Sequence, residues 1–123
     1  MIEIELPWPD MRKLSPNSRA HWAVKAKAAA EANSIGYWEA YKAWDVDKKF
    51  ADKIVAQYTL HPPDNRKRDL DNCLSSTKHF VDGVFVAIGA DDSAIQRTIV
   101  EWAAPCKPGK VVLRLEELND TDS

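Results

Sequence analysis

Alternating apolar and polar positions predict four strands. Residues 2 to 6 alternate isoleucine or leucine with glutamate, so in an extended chain every apolar side chain shares one face. This predicts a strand from Ile2 to Leu6, ended by Pro7-Trp8-Pro9 because proline cannot donate to a sheet. Lys53–Leu60 alternates in a similar way, and two further strands are predicted at Ile95–Trp102 and Val111–Leu118.

Two segments have patterns typical of helices. Arg19–Ala43 is rich in alanine and lysine, which favour helix, with a weak point at Ser34-Ile35-Gly36. One long helix and two shorter ones both fit this segment. From Asp71 to Val86, apolar residues recur every three or four positions, which predicts a second helix. We expect Ile88-Gly89-Ala90-Asp91-Asp92 to end it.

The element order predicts the fold class. Strand, helix, strand, helix, strand, strand is typical of an α+β domain with one mixed β-sheet and helices packed on it. A chain of 123 residues is too short for a second core, so we expect a single domain over 1–118. Residues 119–123 are polar and are expected to form a frayed C-terminal tail. Loops are expected at Ser15–Ser18, His61–Asn65 and around Pro105 and Pro108-Gly109.

Composition indicates an ordinary globular protein, with 45% hydrophobic and 29% charged residues. No apolar run approaches the roughly 18–20 residues of a membrane span, and the N-terminus lacks the layout of a signal peptide. We therefore expect a cytoplasmic protein without membrane contact.

Cys73 lies in an apolar pattern and is expected to be a buried thiol, and the cysteine and histidine spacings do not match a zinc site. The five tryptophans are expected in the core or in interfaces more often than as base-stacking platforms.

The charge is unevenly distributed although the net charge is only −2. Between Met11 and Ala30 all five charged residues are basic, and a basic triplet, Arg66-Lys67-Arg68, follows later. Such segments can present basic surfaces to phosphates on a mildly acidic protein. A solvated surface of mixed charge is the alternative. The five earlier residues are Arg12, Lys13, Arg19, Lys25 and Lys27.

Two aspartates follow the basic triplet directly. Asp69 and Asp71 would lie about 200° apart within a helix but on one face of an extended segment. We expect the extended form, with Asp71 near the start of the next helix and Leu70 pointing into the core. Neighbouring carboxylates repel unless a cation compensates them, and Mg²⁺, with Mn²⁺ as a plausible substitute, is a suitable ion.

A second acidic pair, Asp91-Asp92, ends the predicted second helix. The chain could return Asp92 to the side of Asp69 and Asp71, with Asp91 assisting. An acidic cluster bordered by basic residues is the arrangement needed for metal-assisted phosphodiester hydrolysis. Each part also has a plain structural explanation: helix capping for the first aspartates, a turn for the second pair and a solvated loop for the triplet.

Together these segments resemble the RusA family of Holliday junction resolvases, most closely from about His61 to Ile95. The family consists of Mg²⁺-dependent homodimers that cut four-way DNA by paired symmetric nicks in recombination and repair, and many members belong to phages or prophages. The resemblance therefore implies a RusA-like fold, a homodimer and branched DNA as partner. The matching segments are Arg68-Asp69-Leu70-Asp71-Asn72, Gly89-Ala90-Asp91-Asp92-Ser93, Leu6-Pro7-Trp8-Pro9 and the Pro16-Asn17 loop.

The resemblance also implies residue roles. The family's catalytic aspartates fall on Asp69, Asp71 and Asp92. Its functional lysine is commonly four residues beyond the second aspartate, where this chain has Ser75. Lys78, two helical turns beyond Asp71 and so on nearly the same face of one helix, is expected to substitute. The alternative for Lys78 is a solvated helix lysine.

DNA binding is expected from the basic triplet and from the basic residues between Arg12 and Lys27, which would contact phosphates in a salt-sensitive, sequence-independent way. Paired incision of a two-fold junction requires two active sites, which a homodimer supplies. Three alternatives remain open: a nuclease for flaps or forks, a junction-binding protein without turnover, and a protein-interaction module.

Overall fold

The computed structural model describes residues 1–45 and 50–118, so the predicted tail at 119–123 lies outside the described residues. Within the described ranges, we find no helix with the length and apolar character needed to cross a membrane. The helices and strands, in chain order, are β1 (Ile2–Pro7), α1 (Met11–Leu14), α2 (Trp22–Ala43), β2 (Ile54–His61), α3 (Leu70–Ser75), α4 (Lys78–Ile88), β3 (Ile95–Trp102) and β4 (Lys110–Glu117).

The four strands form one mixed sheet in the order β1-β4-β2-β3. β4 pairs antiparallel with both β1 and β2, whereas β2 and β3 run parallel. The α+β prediction is therefore confirmed. β3 has its predicted bounds, β1 is one residue longer than predicted, and β2 and β4 are each shifted by one residue at both ends. Alternate residues of β1, β2 and β4 are buried, so one face of the sheet packs into the hydrophobic core.

Two glycines allow α2 and α4 to cross closely. A Cβ at Gly36 would lie 1.8 Å from the carbonyl oxygen of Phe80, and one at Gly83 would lie 1.9 Å from that of Asn33. No larger residue fits at either position without moving a backbone. α2 is one continuous helix, which resolves the choice left open by the sequence. The apparent weak point at Gly36 is the place where the second helix packs.

The predicted single helix from Asp71 to Val86 is wrong, because the chain forms α3 and α4 with a break at Ser76 and Thr77. Both side chains are buried and bond to preceding carbonyls. Ser76 Oγ donates to Asn72 O at 2.7 Å and Thr77 Oγ1 donates to Leu74 O at 2.6 Å. Such bonds compete with regular helix. α4 then continues to Ile88 and ends at Gly89, whose φ of 68° is left-handed.

The chain has a further helix that was not predicted, and three of its tryptophans lie outside the core. Between β1 and the expected Ser15–Ser18 loop, Met11–Leu14 form the short helix α1, begun by the Asp10 side chain, which accepts from the Arg12 N–H at 3.0 Å. Trp22, Trp38 and Trp102 are 74%, 55% and 43% exposed, so these three lie outside the core of the chain, and an interface position stays a prediction for them. The prediction for Cys73 is confirmed, since its thiol is buried and free.

Candidate functional site

The loop between β2 and α3 is organised by Asp64. Its carboxylate pairs with the Arg68 guanidinium at 2.8 Å and with Arg66 Nε at 3.2 Å. The Arg66 backbone N–H, followed by the Arg68 side chain, holds the pKa of Asp64 below its usual range. Arg68 Nη1 also donates to the carbonyls of Asp64 and Arg66, both at 3.1 Å. The Arg68 side chain is only 17% exposed against 84% for Arg66. Arg68 therefore supports the loop, while Arg66 faces solvent.

Arg68 also connects this loop to the Leu6-Pro7-Trp8-Pro9 segment. Its guanidinium carbon lies 5.7 Å from the centroid of the Trp8 ring, a cation–π contact. Close by, Gly109 has a φ of 92° and leaves room for its neighbours, because a Cβ there would lie 2.9 Å from Trp8 Cβ and 3.0 Å from Pro63 Cδ. Three distant segments of the chain thus meet at the end of β2.

Asp69 and Asp71 lie on either side of the start of α3. Asp69 is the N-cap, with extended φ and ψ of −82° and 120°, and its Oδ1 accepts from the Asn72 N–H at 3.2 Å. Asp71 is exposed in the first helical turn. The prediction of one shared extended face is therefore wrong for Asp71, because the helix begins at Leu70. Leu70 packs partly buried against the core, as predicted.

The side chain of Asn72 connects α3 to the N-terminal basic segment. Ser15 Oγ donates to Asn72 Oδ1 at 2.9 Å, and Ser15 is buried. Ser15 follows α1, so this bond places the end of α1 beside α3. None of the five basic residues of the segment forms an ion pair with any residue in 1–45 or 50–118, and four of the five are exposed. They are Arg12 and Lys13 on α1, Arg19 before α2, and Lys25 and Lys27 near its start.

A cleft of about 200 Å³ lies at the start of α4. It is lined by Lys78 and Asp82 from α4, Asp92 from the turn before β3, and Tyr58 from β2, among others. Lys78 Nζ lies 3.4 Å from Asp82 Oδ1. Lys78 and Asp92 are therefore brought together, whereas Asp69 and Asp71 do not line this cleft.

The sequence argument for Lys78 needs correction, although the residue reaches a polar cleft. That argument placed Lys78 and Asp71 on one face of a continuous helix, and the break at Ser76 and Thr77 removes this relation. Lys78 is instead the first residue of α4, with its side chain 63% exposed.

Sequence reasoning did not identify Asp82 as a site residue. It pairs with Lys78 and acts on Tyr58, whose pKa is raised to about 12 mainly by burial and additionally by the Asp82 charge. The four-residue spacing of Lys78 and Asp82 in a predicted helix was the available signal.

Asp91, outside the cleft, accepts from the Ser93 N–H at 2.8 Å, and this bond lowers the Asp91 pKa.

The donor chemistry of the three aspartates suits magnesium, because hard divalent ions prefer carboxylate oxygens. The structure does not bring them into one site. Within the described ranges, no three His, Cys, Asp or Glu side chains form a group that could hold a metal ion. The cluster predicted from Asp69, Asp71 and Asp92 is thus not seen there, and magnesium stays a proposal.

Comparison with known proteins adds one relative. No protein-family model matches the chain. An uncharacterized protein of Xylella fastidiosa (strain Temecula1 / ATCC 700964) is 33% identical over 94 residues, which cover 75% of this chain and 61% of the relative. The chain therefore spans about three-fifths of the length of the curated relative that it matches. Because that relative is uncharacterized, the similarity transfers no activity to this chain.

Proposed function

We propose that this chain is a magnesium-dependent, structure-specific DNA endonuclease of the RusA type that resolves four-way junctions. The main supporting observation is that Lys78 and Asp92 line one cleft at the start of α4, the helix that follows α3 and its N-cap Asp69. Asp92 is the later aspartate that the RusA resemblance implicates, and Lys78 is the residue expected to substitute for the family lysine that is missing at Ser75. The two come from separate elements. A cation beside carboxylates is suited to holding a phosphodiester while its charge develops.

Asp69, Asp71 and Asp92 are the candidate magnesium ligands, and they would have to approach one another when the ion and DNA bind, because the described chain does not group them. The bound ion would supply Lewis-acid stabilisation and a more acidic water. Lys78 contacts the scissile phosphate, where its ammonium group stabilises the negative charge of the transition state. Asp82, whose carboxylate lies 3.4 Å from Lys78 Nζ, positions that ammonium group.

Exposed basic residues on both sides of α3 bind the DNA backbone. Arg66 and Lys67 contact phosphates near the cut, and Arg68 holds their loop in shape through Asp64. The Ser15–Asn72 hydrogen bond places the basic end of α1 against the same helix. Binding by these residues is independent of sequence and weakens as salt rises. The additional phosphate contacts come from Arg12, Lys13, Arg19, Lys25 and Lys27.

The proposed substrate requires two copies of the chain. A four-way junction is nearly two-fold symmetric, and its resolution requires two matched incisions. We therefore propose a homodimer acting in DNA recombination and repair, with one active site on each strand to be cut. Sedimentation of the purified protein, alone and with junction DNA, measures this directly, and a monomer in both samples would contradict it.

The decisive experiment compares synthetic four-way, forked, flapped and linear DNA of shared sequence, each with Mg²⁺, Mn²⁺ or EDTA. We expect paired symmetric nicks on the four-way substrate and loss of cleavage in EDTA. Asp71→Asn and Asp92→Asn should abolish cleavage, whereas Glu39→Gln, which removes an exposed carboxylate on α2, should not.

Other results separate the alternatives. Equal cleavage of forks or flaps would replace junction resolution with a broader branched-DNA nuclease. Junction binding without cleavage would favour the non-catalytic binder. Absence of any DNA binding would contradict all three.

A further inference from the structure

A second, larger cleft of about 420 Å³ lies outside the proposed hydrolytic site. Its lining comes from the two loops that follow β2 and β3, including Pro62, Arg66, Lys67, Trp102 and Pro105. The volume falls within the roughly 300–1,000 Å³ typical of small-ligand sites. It is large enough for one nucleotide.

The position of this cleft follows from the parallel pairing of β2 and β3. Their carboxyl ends are adjacent, with Leu60 opposite Trp102. Hydrogen bonds continue beyond the strands, where the Ala103 N–H donates to Leu60 O and the Cys106 N–H donates to Pro62 O, both at 2.9 Å. The base of the cleft is therefore held by backbone bonds. Ligands commonly bind at the carboxyl ends of parallel strands in α/β sheets.

The rim of the cleft is positively charged. Asp64 also lines it, but its carboxylate is already paired with Arg66 and Arg68. Arg66 keeps an 84% exposed side chain. Lys67 is exposed and forms no ion pair within residues 1–45 and 50–118. Lys67 is thus an unpaired cation for a phosphate, and Arg66 offers the exposed part of a guanidinium whose Nε is paired with Asp64.

The wall of the cleft is apolar and aromatic. Trp102 ends β3 with 43% of its surface exposed, and Pro62 and Pro105 line the same space. An exposed indole next to cations is the combination used by proteins that bind single-stranded nucleic acid, in which bases stack on aromatic rings and cations follow the backbone.

We propose that this cleft binds one unstacked nucleotide of a DNA strand, with the base against Trp102 and the phosphate against Arg66 and Lys67. The inference rests on the proposed function, since the loop that forms the rim leads directly into Asp69. A nucleotide held there is adjacent in the fold to the start of α3. Branch points supply unstacked nucleotides, whereas intact duplex does not, so the cleft favours branched substrates.

The test measures binding of a fluorescein-labelled oligothymidylate in EDTA by fluorescence anisotropy. Trp102→Leu should weaken binding about tenfold, the order of magnitude found for loss of one stacked base, and Trp102→Phe should weaken it less. Trp38→Leu is the matched control, since Trp38 is 55% exposed on α2 and does not line the cleft. Circular dichroism of each variant verifies folding.

Two further measurements separate the base from the phosphate. The wild type should bind an abasic oligonucleotide of equal length about tenfold more weakly than oligothymidylate. Trp102→Leu should bind the abasic strand and oligothymidylate with equal affinity. Lys67→Ala should reduce the slope of log affinity against log salt by about 0.7, as expected for one lost single-strand phosphate contact, and Lys42→Ala should not.

Equal effects of Trp102→Leu and Trp38→Leu, or equal wild-type affinity for abasic and thymidine strands, would overturn the inference. The assay contains no divalent ion and scores no cleavage, so it is independent of nuclease activity. If the protein cleaves junctions but Trp102→Leu binds oligothymidylate normally, only the nucleotide-binding proposal is rejected. If Trp102 contributes to strand binding but no DNA is cleaved, only the nuclease proposal is rejected.

Discussion

The Ser15 hydroxyl donates to Oδ1 of Asn72 at 2.9 Å, joining residues that are 57 positions apart in the chain. Asn72 directly follows Asp71 in α3, and Ser15 ends α1. The N-terminal basic segment is thereby attached to the helix that contains the candidate aspartates. One hydrogen bond sets the relative position of two surfaces that the proposed nuclease would use together.

Ser15→Ala should separate these surfaces and destabilise the protein. We expect the free energy of unfolding to fall by about 1 kcal/mol, because Asn72 Oδ1 loses a partly buried donor. Affinity for four-way DNA should fall as well. Urea denaturation and anisotropy measure the two effects. Ser34→Ala on α2 is the control and should leave both unchanged, since Ser34 is exposed.

The crossing of α2 and α4 predicts intolerance of alanine at both contact glycines. Gly36→Ala and Gly83→Ala should each lower the free energy of unfolding by more than about 2 kcal/mol, because the added methyl group meets backbone rather than a flexible side chain. Gly89→Asn should cost less than about 1 kcal/mol, since its Cβ would have no neighbour within 4 Å and asparagine tolerates left-handed φ. Urea titration of the three variants tests this ranking, and equal losses would contradict it.

Tyr58 should make the protein sensitive to alkali. Its pKa is 10.0 in the unfolded chain and is raised to about 12 in the fold, mainly by burial. A raised pKa means that its contribution to stability is complete below pH 10 and is lost as pH rises towards 12. Two pKa units correspond to about 3 kcal/mol. Unfolding free energies measured from pH 9 upwards should fall more steeply for the wild type than for Tyr58→Phe, and parallel curves would refute the assignment.

Lys78 should matter for cleavage and not for folding. Lys78→Ala should lower kcat on four-way DNA by about 100-fold, which is typical for loss of one group that stabilises transition-state charge. Lys42→Ala is the matched control, because Lys42 forms an ion pair with Glu39 on its own helix, at 2.8 Å, as Lys78 does with Asp82. Single-turnover rates separate the two variants. Similar cleavage rates for the two variants would indicate that Lys78 is a solvated helix residue without a role in cleavage.

The two cysteines should differ in reactivity. Cys73 is buried, and burial is the main reason that its pKa is raised, so its thiol should remain unreactive in the folded protein. Cys106 is only partly buried. A colourimetric thiol reagent should therefore label one cysteine in buffer and two in urea. Cys106→Ser should abolish the labelling seen in buffer, and rapid labelling of both native thiols would contradict the packing of α3.

The strands were predictable because burial of one sheet face imposes a two-residue alternation that is visible locally. β1, β2 and β4 follow this rule, and each of their ends lies within a residue of its predicted position. The break between α3 and α4 was not predictable in the same way. Apolar spacing continues through it, and only the buried side-chain bonds of Ser76 and Thr77 interrupt the helix.

The candidate site was predictable in its residue types and only partly in its geometry. Asp69 and Asp71 were placed correctly at a helix start because their neighbours in sequence determine a cap. Asp82 was missed because the cleft that it lines with Tyr58 and Asp92 combines residues of α4, β2 and the turn before β3. Those contacts depend on strand order, which local patterns do not encode.

By itself, the sequence determined the mixed α+β class, most element positions and the presence of acidic and basic groups around one helix start. Those properties follow from periodicity and capping, which act over a few residues. Only the tertiary structure decided that α2 and α4 cross at Gly36 and Gly83, that Lys78 and Asp92 share a cleft, and that Trp102 faces the basic triplet loop. These relations join distant residues, so they depend on how whole helices and strands pack.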